Sequence, residues 1–291
     1  GHTWTGKKND LLTISKKGIT VTLTSGEEGG MLEAVNGKRV ITANLDCRVN
    51  VENLRLQGNG QSANAGILGS IPSSGLGATV YISNCEFTGG NAIKDGGAIY
   101  IKNGNLTAEN CTFKENISVN SGTIFVWGYN SDCSASFTNC HFLKNKVGNS
   151  SRGGGGAITI ASQGTKAVNL NINSCEFTEN ISEKDGGAIY FNSEKGKLMI
   201  AANTIFSKNS AQRNGGAVCF DKGILEVDET RFQENNAGTE TGTNVSCGGG
   251  LYVKYNSDIR NTVFEKNQAG KGGAIGVSLT KSNQQLKLEN V

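Results

Sequence analysis

Two short phrases alternate along most of the chain, and this tandem repeat constrains the fold more than any other feature of the sequence. The first phrase reads F-x-x-N and the second reads G-G-A-[IV]. Full copies of the first phrase occupy residues 113–116, 142–145, 177–180, 206–209, 232–235 and 264–267. Full copies of the second occupy residues 96–99, 155–158, 186–189, 215–218 and 272–275. Since the phenylalanines return every 26–35 residues, each unit is expected to be one layer of a stacked structure.

Apolar residues within each unit alternate with polar or small residues, which indicates β-strands. Ile99 and Ile101 follow one glycine pair, and Leu225 and Val227 precede one phenylalanine. The chain has 41 glycines for turns, a single proline and no sustained apolar stripe at helical spacing. These features predict an all-β fold, a right-handed parallel β-helix (solenoid) of about eight coils, with the handedness taken from parallel crossover connections. A propeller would need about 40 residues per blade, and a sandwich would not repeat its sequence.

Stacked coils place equivalent residues in columns, about 4.8 Å apart from one coil to the next. Cysteine and then threonine stand two residues before phenylalanine, and two asparagine columns flank it. The residue before the second asparagine alternates between Glu and Lys on six successive coils, which predicts an exposed column of opposite charges. The column predicted to form an inward-facing aromatic stack consists of Phe87, Phe113, Phe142, Phe177, Phe206, Phe232 and Phe264.

The repeat also sets the expected domain boundaries. Residues 1–44 carry neither phrase and are predicted to form an N-terminal cap or opening coil. Residues 45–291 are predicted to form the parallel β-helix repeats, as a fragment of a longer protein. No apolar run reaches about 18 residues, so no membrane-spanning segment is predicted. A net charge of +3 without a basic block argues against a nucleic-acid partner.

Eight cysteines raise the question of disulfides and metal sites. Four of them, Cys85, Cys111, Cys140 and Cys175, lie in the inward column and are predicted to be buried and reduced, because an unoxidised cysteine behaves as a small hydrophobe. The other four lie off this column and remain open to pairing; they are Cys47, Cys133, Cys219 and Cys247. The chain has no C-x-x-C motif and only two histidines, so neither a metal site nor a cofactor is predicted.

The alternation of F-x-x-N with G-G-A-[ILV] resembles the passenger domains of the chlamydial polymorphic membrane proteins. The resemblance covers about residues 85–275 and rests on the interleaved copies given above. It implies an autotransporter-type solenoid that is displayed on the bacterial cell surface or outer membrane, or secreted. It further implies a virulence-associated adhesin that binds a host cell-surface protein or glycan.

An aromatic stripe is the first candidate site. The residue after each G-G-A-[IV] copy, weak copies included, faces away from the core by alternation. Tyr100, Phe125, Tyr190 and Tyr252 hold this position on different coils. They are predicted to form an exposed row that binds a partner, because Tyr and Phe anchor many interfaces. The alternative is that these rings stack on one another or lie under inserted loops.

Three turns are longer than their counterparts in other repeats, namely residues 127–135, 146–154 and 238–247. Loops on a rigid scaffold often carry binding residues. Trp127 and Tyr129 in the first of these loops are therefore added to the predicted partner-binding residues. The alternative is simple variation in turn length between coils.

An acidic cluster is the third candidate. Glu226 and Asp258 fall in one column on adjacent coils, beside Asp228 and Arg260. Two carboxylates about 5 Å apart can bind Ca²⁺ or cleave a polysaccharide by acid–base catalysis. The favoured interpretation is a surface salt-bridge patch in which Asp228 pairs with Arg260 and contributes little stability.

No catalytic residue is predicted. Asp95 and Asp185 stand in identical KDGG phrases three coils apart, roughly 14 Å by the strand spacing, and are interpreted as turn residues. The chain is predicted to be a non-enzymatic surface adhesin or passenger. The alternative is an extracellular polysaccharide lyase or glycan-binding β-helix. An enzyme would need clustered carboxylates or a Ca²⁺ site on adjacent coils, whereas an adhesin would not.

Overall fold

The computed structural model of the protein describes residues 12–26, 29–34, 37–148, 153–238 and 246–291. Every regular element within these ranges is a β-strand, and every strand pairing is parallel. The chain winds into a solenoid of about nine turns. The predicted parallel β-helix is therefore confirmed, and the observed number of turns is close to the predicted number of about eight coils.

Each complete turn passes through four strand positions, here named A to D, and the strands are numbered β1 to β33 along the chain. The A strands are β1 (Leu12–Thr13), β4 (Ile41–Thr42), β7 (Leu68–Ser70), β11 (Ile99–Lys102), β15 (Ile124–Gly128), β19 (Ile158–Ser162), β29 (Leu251–Val253) and β32 (Ile275–Val277). The B strands are β2 (Thr20–Thr24), β5 (Arg48–Glu52), β8 (Thr79–Ser83), β12 (Asn105–Glu109), β16 (Cys133–Thr138), β20 (Val168–Asn173), β30 (Ser257–Arg260) and β33 (Leu286–Glu289). Two long strands, β23 (Ile189–Ala201) and β26 (Val218–Asp228), cover both positions and join them into one 18-stranded sheet.

The remaining two positions form separate sheets of nine and six strands. The C strands are β3 (Gly30–Glu33), β6 (Leu54–Gln57), β9 (Glu86–Thr88), β13 (Thr112–Lys114), β17 (His141–Leu143), β21 (Glu176–Thr178), β24 (Ile205–Ser207), β27 (Arg231–Gln233) and β31 (Val263–Glu265). The D strands are β10 (Asn91–Ala92), β14 (Ile117–Ser118), β18 (Lys146–Val147), β22 (Ile181–Ser182), β25 (Ser210–Ala211) and β28 (Asn236–Ala237). Strands from the first 44 residues pair within the same sheets, while their role as a cap stays a prediction.

The predicted phenylalanine column runs through the interior on the C strands. Neighbouring rings lie 4.4–5.2 Å apart between centroids from Phe87 to Phe264, with interplanar angles of 2–26°. All of these rings are essentially inaccessible to solvent except Phe264, which is half-buried. The in-register pairing of F-x-x-N from turn to turn thus produces a continuous aromatic core.

A buried amide ladder lies beside the phenylalanines. Asn180 illustrates its bonding: the side-chain nitrogen Nδ2 donates to Phe142 O and to Asn209 Oδ1, both at 2.9 Å. Its Oδ1 accepts from the backbone N–H of Asn145 at 3.1 Å and from the Asn145 amide at 3.0 Å. The same bonds recur on neighbouring turns. Each buried amide is satisfied, which is the condition for placing it in an apolar core.

The predicted charge column lies on the surface and occupies left-handed backbone. All six of its residues, which are Glu115, Lys144, Glu179, Lys208, Glu234 and Lys266, have φ between 52° and 56°. Lys144 and Glu179 form an ion pair of 3.7 Å. Gly89 takes the same place in a degenerate repeat at φ 64°, as expected for a position where glycine has the least strain.

The glycine pair of G-G-A-[IV] is explained by close contact between turns. Gly186 has φ 70°, a conformation that favours glycine. A Cβ atom added to Gly187 would lie 2.0 Å from the carbonyl oxygen of Gly216 on the next turn. No larger residue fits at this position unless the backbone moves, so the fold requires glycine at this position of the repeat phrase.

Candidate functional site

The predicted exposed stripe is buried. Tyr100, Phe125, Tyr190 and Tyr252 are only 3–7% accessible to solvent, so their predicted exposure is wrong. The rings of Tyr100 and Phe125 pack against each other at 4.8 Å. A Cβ on Gly153 would lie 2.7 Å from the ring of Tyr190, so loop backbone covers that ring. These side chains do point away from the core, as alternation predicts, but neighbouring rings and loops cover them.

Trp127 and Tyr129 differ from the other four candidates because each keeps part of its surface exposed. Their ring centroids are 4.8 Å apart. The Nζ atom of Lys102, on the preceding turn, lies over both rings, 5.5 Å from Trp127 and 4.6 Å from Tyr129. Trp127 also continues the aromatic row through Phe125 at 6.2 Å. These contacts hold the two aromatic residues in place against the A strands.

A groove of about 450 Å³ opens beside Trp127 on the outer face of the A strands. It spans three turns, because strand register aligns Trp127 on β15 with Ala161 on β19 and Asn192 on β23. Small residues on the middle turn form its floor, and larger residues on the flanking turns form its walls. The residues that line it include Trp127, Ala161, Ser162, Gln163, Tyr190 and Asn192.

The polar residues of this groove were not among the predicted site residues. Ser162, Gln163 and Asn192 lie next to no repeat phrase that would have marked them. A sequence signal did exist, because Thr159 and Ala161 are small residues at column positions that hold Phe125 and Trp127 one turn earlier. Such a change from large to small across a column leaves a gap between turns.

A polar network lies next to the groove around Tyr190. The Tyr190 hydroxyl donates to Asp221 Oδ2 at 3.2 Å, and Lys254 Nζ lies 2.5 Å from Asp221 Oδ1. Burial raises the pKa of Tyr190 well above its usual value, so this hydroxyl stays protonated. The network fixes the ring of Tyr190 at the groove wall and does not place an ionised phenol there.

The interpretation of Asp95 and Asp185 as turn residues fits the hydrogen bonds that each carboxylate makes. Asp185 accepts from the backbone N–H of Asn214 at 3.1 Å and pairs with Arg213. Asp95 accepts from the Ser121 hydroxyl at 2.7 Å. Each carboxylate thus accepts a hydrogen bond from the following turn, and this bond fixes the geometry of the loop.

The acidic cluster has the predicted register but different ion pairs. Glu226 faces Asp258, and Asp228 faces Arg260, across β26 and β30. Arg260 pairs with Asp258 of its own strand and holds the pKa of that carboxyl below its usual value. The predicted pair between Asp228 and Arg260 is therefore wrong.

The other two carboxylates of the cluster have their own partners. Glu226 binds Lys197 at 2.7 Å, and Asp228 accepts from the Asn261 amide at 2.9 Å. Neighbouring cationic or amide groups therefore engage these carboxylates separately.

The cysteines of the inward column are buried and form no disulfide, as predicted. Cys47, Cys133 and Cys219, which the sequence left open to pairing, are also buried outside any disulfide. Burial raises the pKa of Cys85 to about 11. The side-chain hydrogen bond from Cys111 lowers the pKa of Cys140, but the bond with Cys175 and burial outweigh it and raise the value to about 12.

Neither a metal-binding cluster nor a membrane-spanning helix is present among the described residues. No group of three or more His, Cys, Asp or Glu side chains in these ranges has a geometry suited to a metal ion. The described part of the chain also contains no helix with the length and hydrophobicity needed to traverse a bilayer. Of the long loops, residues 149–152 and 239–245 lie outside the described residues.

The fold and its surface define a class: a parallel β-solenoid built from tandem F-x-x-N and G-G-A-[IV] turns, with a small aromatic groove on its outer face. The model of the Chlamydia polymorphic membrane protein repeat matches residues 174–192, 203–221 and 261–278. Each match spans a copy of both repeat phrases, so the resemblance seen in the sequence is confirmed.

A similar curated protein is the probable outer membrane protein pmp20 of Chlamydia pneumoniae, which is 29% identical over 231 residues. The aligned region is 72% of this chain but only 12% of the relative, so the chain spans about an eighth of that protein's length. No solved structure matches the chain. Both matches support the predicted localisation at the bacterial surface or outer membrane.

Proposed function

We propose that this chain is part of an autotransporter-like passenger that bacteria display at the cell surface and that adheres to host cells. The observation that carries the proposal is the match of three turns to the Chlamydia polymorphic membrane protein repeat, together with the similarity to an outer membrane protein. A long, closed solenoid suits display, because each turn is stabilised by its neighbours and surface loops can vary without disturbing the core.

The proposed role is adhesive and not enzymatic. The repeat interior is filled by stacked rings and amides, and the surface carboxylates Glu226 and Asp258 are engaged by separate cations. A polysaccharide lyase would need a groove with an available catalytic carboxylate or a Ca²⁺ site. Incubation with uronic-acid polymers, with Glu226→Ala as control, should release no unsaturated products. Product formation by the unmodified chain that the variant lacks would overturn the non-enzymatic role.

Adhesion is tested with coated beads. Beads that carry this chain should bind epithelial cells several-fold better than beads coated to the same density with an unrelated β-solenoid. Binding should also fall when soluble chain is added as a competitor. Equal binding of the two kinds of bead would refute the adhesive role.

A further inference from the structure

We propose that the groove beside Trp127 binds one or two neutral sugar residues of a glycan. This inference rests on the proposed adhesive function and names the chemistry of the partner. A flat aromatic ring, a small floor and several polar groups meet in this groove. Its volume of about 450 Å³ lies within the range of about 300–1,000 Å³ that small-molecule sites occupy.

The indole of Trp127 provides the flat surface. Lys102 lies on the preceding turn in the same column and covers the ring face on that side. Ala161 follows Trp127 in register on the next turn, where its single methyl group leaves room beside the indole, and both residues line the groove. A pyranose ring presents a patch of C–H groups on one side, which stacks on such a ring.

Polar groups surround this surface at distances set by the strand spacing. Asn192 stands two turns from Trp127 in the same column, about 10 Å away by backbone spacing. Its amide nitrogen lies 3.5 Å from the Tyr190 hydroxyl, a contact long enough to give way to a ligand. Ser162 and Gln163 follow the floor residue directly. Sugar hydroxyls, which both donate and accept, match this set of one hydroxyl and two amides.

The charges favour a neutral ligand. None of the described residues that line the groove is acidic or basic. Lys102, on the Trp127 side, is held over the indole and over the ring of Tyr129. A sulfated or sialylated group would have no counter-charge among the lining residues. A purely apolar ligand would leave the amides of Gln163 and Asn192 unpaired.

Fluorescence of Trp127 reports occupancy directly. The chain has two tryptophans, and Trp4, which lies outside the described residues, is replaced by phenylalanine so that Trp127 gives the only indole signal. Lactose, N-acetyllactosamine and maltose are the neutral probes, and sialyllactose is the anionic one. At least one neutral probe should change the emission saturably at millimolar concentration, and sialyllactose should bind no better.

Ala161→Phe is the decisive variant, because it fills the groove from an outward position, outside the phenylalanine column of the interior. Affinity for the neutral probe should fall about ten-fold or more. Tyr81→Ala is the matched control: Tyr81 is another outward aromatic under a cation, Arg48 at 5.3 Å, but it lies on a B strand far from the groove in the register. This variant should bind as the unmodified chain does, measured by nuclear magnetic resonance saturation transfer to the probe.

The outcomes separate the two proposals. If no neutral probe binds, if only sialyllactose binds, or if Ala161→Phe binds as well as the unmodified chain, the glycan site is refuted. If beads coated with Ala161→Phe still adhere to cells and neutral glycans do not compete, adhesion stands and uses another surface, such as a protein contact. If bead adhesion falls with Ala161→Phe and lactose-type glycans compete, both proposals are supported.

Discussion

The amide of Asn180 makes four hydrogen bonds inside the core, two as donor and two as acceptor. Asn180→Leu keeps the volume but leaves the Asn145 amide, the Asn145 N–H and the Phe142 carbonyl without this partner. Because a buried polar group left unpaired costs about 1–3 kcal/mol, the free energy of unfolding should fall by about 3 kcal/mol or more. Urea denaturation followed by circular dichroism measures the loss.

Asn139→Gly is the control for that substitution. Asn139 belongs to the exposed asparagine column, has φ 52° and donates to Asn110 Oδ1 at 3.3 Å. Glycine adopts this backbone readily, so the unfolding free energy should change by less than about 0.5 kcal/mol. If the two variants were equally destabilised, the buried ladder would not carry the stability assigned to it.

Cys85 gives a prediction about pH. Its pKa is raised to about 11 in the folded chain because burial disfavours the thiolate, against 9.0 for the exposed group. The unfolded chain therefore loses this proton first, and stability that is fully present below about pH 9 declines as the pH rises towards 11. By about pH 10.5 the loss from one such thiol should reach at most about 2 kcal/mol.

Cys85→Thr isolates that contribution. Threonine stands in the same column at Thr230, where its hydroxyl donates to the carbonyl two residues back at 2.9 Å. The thiol of Cys85 makes the corresponding contact to Ser83 O at 3.1 Å. The variant should match the unmodified chain within about 1 kcal/mol at pH 8 and lose less stability between pH 9 and 10.5. Parallel pH profiles for the two proteins would contradict the assignment.

Individual side chains show which features could be predicted from the sequence and which could not. Alternation correctly gave the direction of Tyr100 and Tyr190, away from the core, but it carries no information on what lies over them. The backbone at Gly153 covers the ring of Tyr190, and a ring on another turn packs against Tyr100. These contacts depend on the paths of the loops. The same limit applies to Glu226: its strand partner was predictable, whereas strand register alone does not specify its ion pair with Lys197, which lies diagonally opposite on β23.

Columns of equivalent residues were the most predictable elements. A repeat phrase fixes the register of parallel strands, so the positions of phenylalanine and asparagine followed from counting residues. The number of turns before residue 85 was harder to predict, because apolar residues outside the repeat phrases, such as Leu56 and Val80, also fill the interior. Any alternating apolar segment fits the end of a column, which is why the number of turns could be predicted only approximately.

The phenylalanine column supports a prediction about packing between turns. Phe177 lies 4.4 Å from Phe142 and 4.7 Å from Phe206, centroid to centroid, and is fully buried. Phe177→Ala should leave a cavity and lower the unfolding free energy by about 3–5 kcal/mol. Phe264→Ala is the control, because Phe264 is half-buried and stacks only on Phe232 within the column. Its loss should be less than half as large when measured by urea denaturation.

The solenoid as a unit should follow nearest-neighbour energetics, because each turn bonds only to the turns beside it. Phe142 and Phe177 are in contact on adjacent turns, whereas Phe87 and Phe206 lie four turns apart. In a double-mutant cycle with leucine at each position, the adjacent pair should show a coupling free energy of about 0.5 kcal/mol or more. The distant pair should be additive within about 0.5 kcal/mol.

The reason for expecting this contrast is geometric. A leucine at position 142 removes ring contacts that Phe177 also makes. The additional substitution of Phe177 therefore lowers the unfolding free energy by less than it does alone. Phe87 and Phe206 share no neighbour, and three intact rings separate them in the column. Equilibrium urea unfolding of the four single and two double variants supplies the comparison. Equal coupling for both pairs would mean that the turns form one indivisible core, and stability would then not be a sum over neighbouring turns.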